Sequence, residues 1–427
     1  MPVEDFKISV GLSRHWDARK AGREVAYNTL EKLGTDPDFF LLFSTIHYEK
    51  WGGFKEFLAG VWDVLPEGTP LIGGTVAGFI IPQGCFVRGA TALAVSYPNM
   101  DVAVGIGRNT KRNPKKAAKQ CANMVKERLK KSNYKNKFLF ELISGPIFPI
   151  MPFKGRIKMV KNRVLSLPIA YIAQISTFLL QKGAGREVEV LQELSKQLSD
   201  FYILGGSSMD NYKYVSNYQF FNKKVYTNVI VALGIQTDMN PYLKTAHGLI
   251  ETGEKWEITK DAVWKHMICN LNGKPAVEEY LRATGWPKEI LDERVHTKTI
   301  FYPLGILEDD GFINPCVIAA FIGDYLNIAF TATSNNLSLL TTSGRRLIDA
   351  VDETLSSAPM DSSMIFSVSC GVRIEALGDE INITKEKIES RFNKPFLVIY
   401  TSGEDVYIPQ KGNPHHMQET FNLFTLF

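Results

Sequence analysis

Short apolar runs, typical of buried strands, alternate with amphipathic helical segments along this chain. The runs that predict strands are residues 7–12, 39–44, 70–72, 89–97, 101–107, 138–144, 201–204, 225–234, 301–306, 364–368 and 396–400. The segments that predict helices are 17–33, with Asp17 as its N-cap, and 54–64, 113–131, 187–198 and 344–355. Residues 89–97 and 101–107 are predicted to pair antiparallel across Pro98-Asn99. This alternation predicts a mixed α/β fold.

One pattern recurs three times: an apolar strand, a helix, a second apolar strand, and then glycine beside hydroxyl or acidic residues. The second strands run into Gly73-Gly74-Thr75, Gly205-Gly206-Ser207 and Thr401-Ser402-Gly403-Glu404. The third copy ends in a closing strand at residues 421–427. Duplicated units of this kind are expected to form layered α/β sandwiches, in which helices cover a face of each sheet.

Composition fits an ordinary globular protein, with 45% hydrophobic and 22% charged residues over 427 positions. The five cysteines (Cys85, Cys121, Cys269, Cys316 and Cys370) are widely spaced and odd in number, which argues against a disulfide framework or a zinc ribbon. The first residues lack the basic and apolar regions of a signal peptide. We therefore expect a reducing, cytoplasmic location.

Positive charge is concentrated in one part of the chain. Residues 108–163 hold 17 Lys and Arg against Glu127 and Glu141, although the whole chain is only +4. The basic helix could meet nucleic acid, an acidic partner or a membrane, but a solvated face is the favoured interpretation. Nucleic-acid binding is not expected, because aromatic residues are nearly absent there.

The most apolar run, residues 164–180, is too short to favour a spanning helix. It predicts a core or partner-facing helix. Basic residues precede it, so peripheral membrane contact through residues 154–182 is the alternative, and an adaptor that docks a partner there is a further hypothesis.

The two glycine pairs could present amides to an anion, although a tight strand exit is the favoured explanation. Cys370, Arg373 and Glu404 are predicted to lie near one rim. There, Arg373 could clamp a ligand carboxylate and Glu404 an ammonium group, as an α-amino acid requires. The competing interpretation is an internal Arg–Glu salt bridge.

No enzymatic activity is expected. A cysteine hydrolase through Cys370 would need a base such as His415 or His416, and a buried inert thiol is favoured. Either histidine could instead serve a ligand pocket or bind heme axially, with His47 and His247 as further axial candidates, and a solvated loop is the default.

The chain resembles the FIST domain family from about residue 7 to its end. The motifs that carry the resemblance are PLIGGTVAGFI, GATALAV and VAVGIG in the first part, and LNGKPAVEEYL, FYPLGIL, MIFSVSCGVRIEALG and PFLVIYTSGEDV in the second. The resemblance implies a FIST N-terminal domain over residues 1–235 and a FIST C-terminal domain over 236–427. Residues 148–185 form an insertion in the first.

The resemblance also implies an intracellular sensory module for signal transduction that binds a small ligand, such as an amino acid, and acts on an unspecified signalling partner. No cofactor is required by this interpretation; a heme-based nitric oxide sensor is the alternative. The predicted ligand-binding residues are Gly73, Gly74, Thr75, Gly205, Gly206, Ser207, Cys370, Arg373, Gly403, Glu404, His415 and His416.

Overall fold

The structure is a computed structural model that describes residues 5–129, 134–147, 159–160, 163–262, 265–291 and 295–427. It is 29% helical and 38% strand, arranged as several mixed sheets covered by helices. The predicted layered α/β class is therefore confirmed.

The described strands are, in chain order, β1 (Lys7–Ser13), β2 (Phe39–Ser44), β3 (Leu71–Thr75), β4 (Gly78–Ile81), β5 (Gly84–Phe86), β6 (Ala90–Ser96), β7 (Met100–Arg108), β8 (Asn136–Ser144), β9 (Met159–Val160), β10 (Tyr202–Ser208), β11 (Gln219–Phe221), β12 (Lys224–Tyr226), β13 (Val229–Thr237), β14 (Pro241–Ala246), β15 (Ile250–Ala262), β16 (Met267–Leu271), β17 (Lys274–Pro275), β18 (Leu304–Leu307), β19 (Ile313–Cys316), β20 (Ile318–Ile322), β21 (Tyr325–Ile328), β22 (Asn336–Thr341), β23 (Met364–Cys370), β24 (Phe396–Thr401), β25 (Glu404–Tyr407), β26 (His415–Met417) and β27 (Phe421–Leu426).

The described α-helices are α1 (Ala18–Leu33), α2 (Gly53–Trp62), α3 (Pro114–Arg128), α4 (Arg163–Leu180), α5 (Glu187–Gln197), α6 (Ala276–Thr284), α7 (His296–Thr299), α8 (Gly344–Ser356), α9 (Val372–Leu377) and α10 (Ile381–Arg391). Short 3₁₀ turns occur at Ile46–Glu49, Lys288–Ile290 and Gly378–Glu380. The predicted cap of α1 is confirmed, because the Asp17 carboxylate accepts a hydrogen bond from the Lys20 amide at 2.9 Å.

Three six-stranded sheets share one plan. Sheet I has the order β1-β6-β2-β3-β11-β12, sheet II β26-β25-β10-β8-β13-β7, and sheet III β14-β27-β23-β24-β4-β5. Each contains one parallel pair (β2 with β3, β8 with β10, or β23 with β24), and an antiparallel strand (β6, β13 or β27) lies beside the first member. These are the three predicted copies of the repeated unit.

Each sheet is completed by a hairpin that the chain donates from the neighbouring unit. The hairpin β4–β5 follows β3 of sheet I but pairs with β24 of sheet III. The hairpin β11–β12 follows β10 of sheet II but pairs with β3, and β25–β26 follows β24 but pairs with β10. The exchange is cyclic, so the three units are interlocked, and strands from both sides of residue 235 share sheets.

The inner faces of sheets I to III enclose one apolar core. Phe43 of sheet I and Phe140 of sheet II both contact Phe366 of sheet III, with ring centroids 6.2 and 4.9 Å apart. The outer faces pack against helices: α1 and α2 on sheet I, α3 and α5 on sheet II, and α8 and α10 on sheet III. The predicted sandwiches thus radiate from a shared centre.

Sheet IV has the order β19-β18-β22-β15-β16-β21-β20-β9, with β17 paired to β16. It has its own core, in which α6 contributes Tyr280 beside Phe321 of β20. Within the described helices, none has the length and apolar character needed to cross a membrane. Of the predicted insertion, residues 148–158 and 161–162 lie outside the described residues, as do Lys130 and Lys131 of the predicted basic helix.

Two local predictions are wrong. The strands β6 and β7 do not form a hairpin, because β6 pairs with β1 and β2 whereas β7 pairs with β13. The chain passes from one sheet to the next at Pro98-Asn99. The strands β3 and β10 also continue through their glycine pairs, which were expected to end them, since the glycines have bonded neighbours on both sides.

Candidate functional site

The three units meet in a ring of backbone hydrogen bonds at the ends of β3, β10 and β24. The bonds are Ala77 N to Tyr400 O at 2.9 Å, Met209 N to Thr75 O at 3.0 Å, and Ser402 N to Ser207 O at 2.9 Å. Each unit gives one donor and one acceptor. The ring therefore closes on itself and marks an approximate threefold axis.

A cavity of about 50 Å³ lies beside this ring and beneath a segment of sheet IV. On this measure one water needs about 10–15 Å³, so the space holds roughly three to five groups of water size. The units of sheets II and III contribute polar lining residues, among them Tyr212, Tyr214, Cys370, Glu375, Thr401 and Ser402. The covering side consists of His296, Ile300, residues 317–319 and Ala329.

Gln418 links the ring to the covering side of the cavity by two hydrogen bonds. Its side-chain amide donates to the Ser402 carbonyl at 3.1 Å, and its side-chain oxygen accepts from the Val317 amide at 2.7 Å. Tyr212 donates to the Gly371 carbonyl at 2.8 Å. Burial raises the pKa values of Tyr212 and Tyr214, so their hydroxyls are neutral.

Glu404 is fully buried and lies next to Cys370, which lines the cavity. One carboxyl oxygen accepts from the Thr420 hydroxyl at 2.9 Å, and the other is 3.3 Å from the Thr401 hydroxyl. Burial raises the pKa of Glu404 to about 8, although the Thr420 hydroxyl lowers it. The carboxyl therefore holds its proton at neutral pH.

Cys370 is 1% exposed, and burial followed by the nearby Glu404 raises the pKa of its thiol well above its usual value. A thiolate is the nucleophilic form, so this environment does not favour covalent chemistry. His416 binds Asp405, the neighbour of Glu404 in β25. Successive strand residues point to opposite faces, which puts this imidazole on the other side of sheet II from Glu404.

Arg373 and Glu404 are both buried, but no ion pair within 4 Å joins them in the described part of the chain. The guanidinium of Arg373 instead donates to the backbone carbonyls of Leu347 and, at 3.3 Å, of Glu419. Burial lowers the pKa of Arg373. The predicted salt bridge is thus not formed, and the guanidinium is engaged with backbone rather than with the cavity lining.

A second buried polar cluster lies on the outer face of sheet II. His416 Nδ1 is 2.6 Å from an Asp405 carboxylate oxygen. Asp405 and Glu141 stand opposite Gly205 in the two neighbouring strands, so they share one face. Burial, followed by Asp405, raises the pKa of Glu141. Burial also lowers the pKa of His416, but Asp405 outweighs it and the net shift is upward.

The glycine pairs create space for these groups. A methyl group on Gly205 would lie 2.0 Å from a Glu141 carboxylate oxygen, and one on Gly206 would lie 2.3 Å from the Gly403 carbonyl. A methyl group on Gly74 would similarly meet the Tyr218 carbonyl at 2.4 Å. Close approach of the exchanged hairpins therefore explains the second glycine of each pair, whereas the first glycine lies against the neighbouring strand β2 or β8. Their predicted role in binding a ligand anion stays a prediction.

Lys111 is fully buried beside the same units. Its ammonium group donates to the Gly145 carbonyl at 2.8 Å, the Ser144 hydroxyl at 3.0 Å and Asn228 at 3.1 Å. Burial lowers the pKa of Lys111 to about 8, and Glu187 opposes that shift.

The predicted basic helix corresponds to α3. Its buried face consists of alanines, Cys121 and Val125, so its lysines face outward.

His415, His47 and His247 do not line the central cavity. His415 is 3.2 Å from an Asp310 carboxylate oxygen and packs on Phe312. His47 Nδ1 is hydrogen-bonded to the Thr45 hydroxyl at 2.7 Å, and burial lowers the pKa of His47 to about 4. His247 lines an open groove of about 430 Å³ beside α8. The central cavity is far too small for a porphyrin, so the heme alternative gains no geometric support there.

We favour the central cavity over the larger groove as the candidate site, because its lining is more enclosed and combines residues from the units of sheets II and III with residues from sheet IV. Sequence reasoning found Cys370 but missed Tyr212, Ser402 as a lining residue, and Gln418. The acidic pair Glu404-Asp405 within an otherwise apolar strand was the one signal that could have identified Asp405.

Comparison with known proteins gives a family match. The family model of the FIST N domain matches residues 38–274. No curated protein sequence matches the chain. Among solved structures, the cyanuric acid hydrolase from A. caulinodans is similar at 8% identity, over 55% of this chain and 72% of that one, with a TM-score of 0.29. That likeness is too low to carry an argument about function.

Proposed function

The chain belongs to the FIST domain family of signal-transduction sensory domains, and from that premise we propose that it senses a small molecule with a protonated amino group in its central cavity. The observation that carries the proposal is the partly enclosed cavity beside the junction of the three units, which has several polar groups in its lining. Small-ligand sites are concave and hold a few convergent polar groups.

The position of the cavity suits a sensor. Ser402 belongs both to the hydrogen-bonded ring and to the lining, and Gln418 connects it to the cover. A ligand that fits only one arrangement of ring and cover would favour that arrangement by its difference in affinity. Occupancy at this point is therefore transmitted to all three units and to sheet IV.

The lining supports a cationic ligand. Glu375 supplies a carboxylate at the exposed rim, and Tyr212 and Tyr214 supply hydroxyls and ring faces. Neither Lys nor Arg is among the lining residues that the structure describes. Because Arg373 is bound to backbone carbonyls, we assign recognition of the ammonium to Glu375 rather than a two-ended clamp to Arg373 and Glu404.

The size limits the ligand to a small amine or one of the smallest amino acids. Isothermal titration of the full chain with glycine, alanine, ethylamine and propionate tests separately whether the amino group or the carboxylate of the ligand is recognised. We expect the amine and at least one amino acid to bind and propionate not to bind.

The variant Glu375→Gln should weaken binding by roughly tenfold or more, because a hydrogen bond to a charged group contributes about 1.5–3 kcal/mol. Glu386→Gln, an exposed position on α10, is the matched control and should bind as the native chain does. The proposal would be refuted if none of the four compounds bound to the folded protein, or if propionate bound as tightly as ethylamine.

A further inference from the structure

The helix α4 exposes apolar side chains along its C-terminal half. Six apolar side chains near its C-terminal end are between 47% and 67% exposed: Tyr171, Ile172, Ile175, Phe178, Leu179 and Leu180. By contrast, Thr177 is 2% exposed. At 100° per residue, positions 171, 172, 175, 178 and 179 span an arc of about 120°, and position 177 lies on the opposite side. The helix therefore buries the polar Thr177, and none of the residues that the structure describes covers its apolar face.

The orientation of α4 is fixed by contacts at its C-terminal end. Arg112 donates to the carbonyls of Phe178 and Leu179 at 3.0 and 2.6 Å. Gln181 donates to the Asn109 side chain at 2.8 Å. These bonds join the helix to the loop before α3 through backbone and polar atoms. The outward apolar face is thus a consequence of how the helix is attached.

In the sequence, the charged residues that flank α4 have one sign. The segment 154–182 contains Lys154, Arg156, Lys158, Lys161, Arg163 and Lys182 and no acidic residue. Apolar side chains on one face of a helix beside several basic residues are the pattern of helices that lie in the interface of an anionic membrane. Contiguous exposed apolar surface on a water-soluble fold also indicates an interaction site.

We propose that α4 docks the protein on an anionic lipid surface, with Ile172, Ile175 and Leu179 inserted among the headgroups and the basic residues that flank the helix in sequence attracted to the anionic lipids. The helix lies in the surface and does not cross it. This docking is independent of ligand binding in the central cavity.

The experiment is co-sedimentation of the full chain with vesicles of phosphatidylcholine alone and of phosphatidylcholine mixed with phosphatidylserine. We expect binding to the mixed vesicles that weakens as salt is added. The double variant Ile172→Ser/Leu179→Ser should lower the affinity at least roughly tenfold, since each side chain loses apolar burial. Val87→Ser, at a position that is equally exposed but distant in sequence, is the matched control.

The charge contribution is tested by Lys158→Gln/Lys161→Gln, which should weaken binding by about fivefold per charge. Lys50→Gln/Lys55→Gln, at exposed positions outside the segment, should not. Thermal unfolding of each variant checks that it is folded. Absence of binding to either vesicle, unchanged binding by the α4 variant, or a native dimer that Ile172→Ser dissociates would each overturn the proposal.

Discussion

Replacing Glu404 by glutamine tests most directly whether this buried carboxyl is protonated at neutral pH. Glutamine has nearly the shape of a protonated carboxyl. Its oxygen can accept from Thr420, and its amide can donate toward Thr401, which are the two partners of the native side chain. The variant therefore imitates the neutral form at every pH. The native chain, by contrast, must ionise a fully buried group when the pH rises.

The magnitude follows from the pKa of Glu404, which burial raises from 4.5 to about 8. A carboxyl with a raised folded-state pKa contributes stability that is fully present below pH 4.5 and is lost as pH rises through 8. One pKa unit corresponds to 1.36 kcal/mol, so the complete loss is about 5 kcal/mol. About 3 to 4 kcal/mol of it falls between pH 5 and pH 8, by the same linkage.

The assay is urea unfolding of both proteins at pH 5, 6, 7 and 8. We expect the free energy of unfolding of Glu404→Gln to rise relative to the native chain by about 3 to 4 kcal/mol across this range. The exposed Glu278→Gln on α6 is the control and should show no such trend. A difference between Glu404→Gln and the native chain that stays constant from pH 5 to pH 8 would refute the reasoning.

Two further predictions concern sheet II. The net pKa of His416 is raised beside Asp405, so this pair stabilises the fold fully below pH 6.5 and loses its effect as pH rises through the raised value. Asp405→Asn should therefore destabilise more at pH 6 than at pH 9, and the NMR titration midpoint of His416 should fall; a native midpoint at or below 6.5 contradicts this. Gly205→Ala should destabilise by about 1–3 kcal/mol or more, because the added methyl meets Glu141 and its backbone. Gly344→Ala, whose nearest contact is a side-chain oxygen at 3.2 Å, is the comparison, and equal effects of the two substitutions would exclude the packing explanation.

The repeated unit was readable from sequence because its signal is local. A buried strand, an amphipathic helix and a second buried strand each follow from apolar spacing over a few residues. All three strand–helix–strand units were predicted, and in the structure the two strands of each unit form a parallel pair. The hairpin exchange was not readable. Gly206 pairs with Glu404, nearly 200 residues later, and no local pattern specifies such a partner.

The candidate site shows the same division. Sequence identified Cys370, Arg373 and Glu404 as residues near one rim, but residue type does not fix the direction of a long side chain. The helix α9 begins at Val372, and from it the Arg373 guanidinium reaches the carbonyls of Leu347 and Glu419. Two buried carbonyls offer it hydrogen bonds that an isolated buried charge would otherwise lack.

The backbones of the three units are arranged with approximate threefold symmetry, but the side chains at equivalent positions differ in chemistry. Residues 219 and 404 occupy equivalent places, each opposite the second glycine of a pair, and both are polar. Gln219 donates to Ser208 and Asn217, whereas Glu404 bonds Thr420 beside the cavity. In sheet III the corresponding hairpin residue is Phe79, opposite Ile399. One unit thus presents an amide, one a titratable acid and one an apolar ring to the same core. Divergence among the repeats therefore gives three equivalent backbone positions different side-chain chemistry, although the backbone pairing around them is the same.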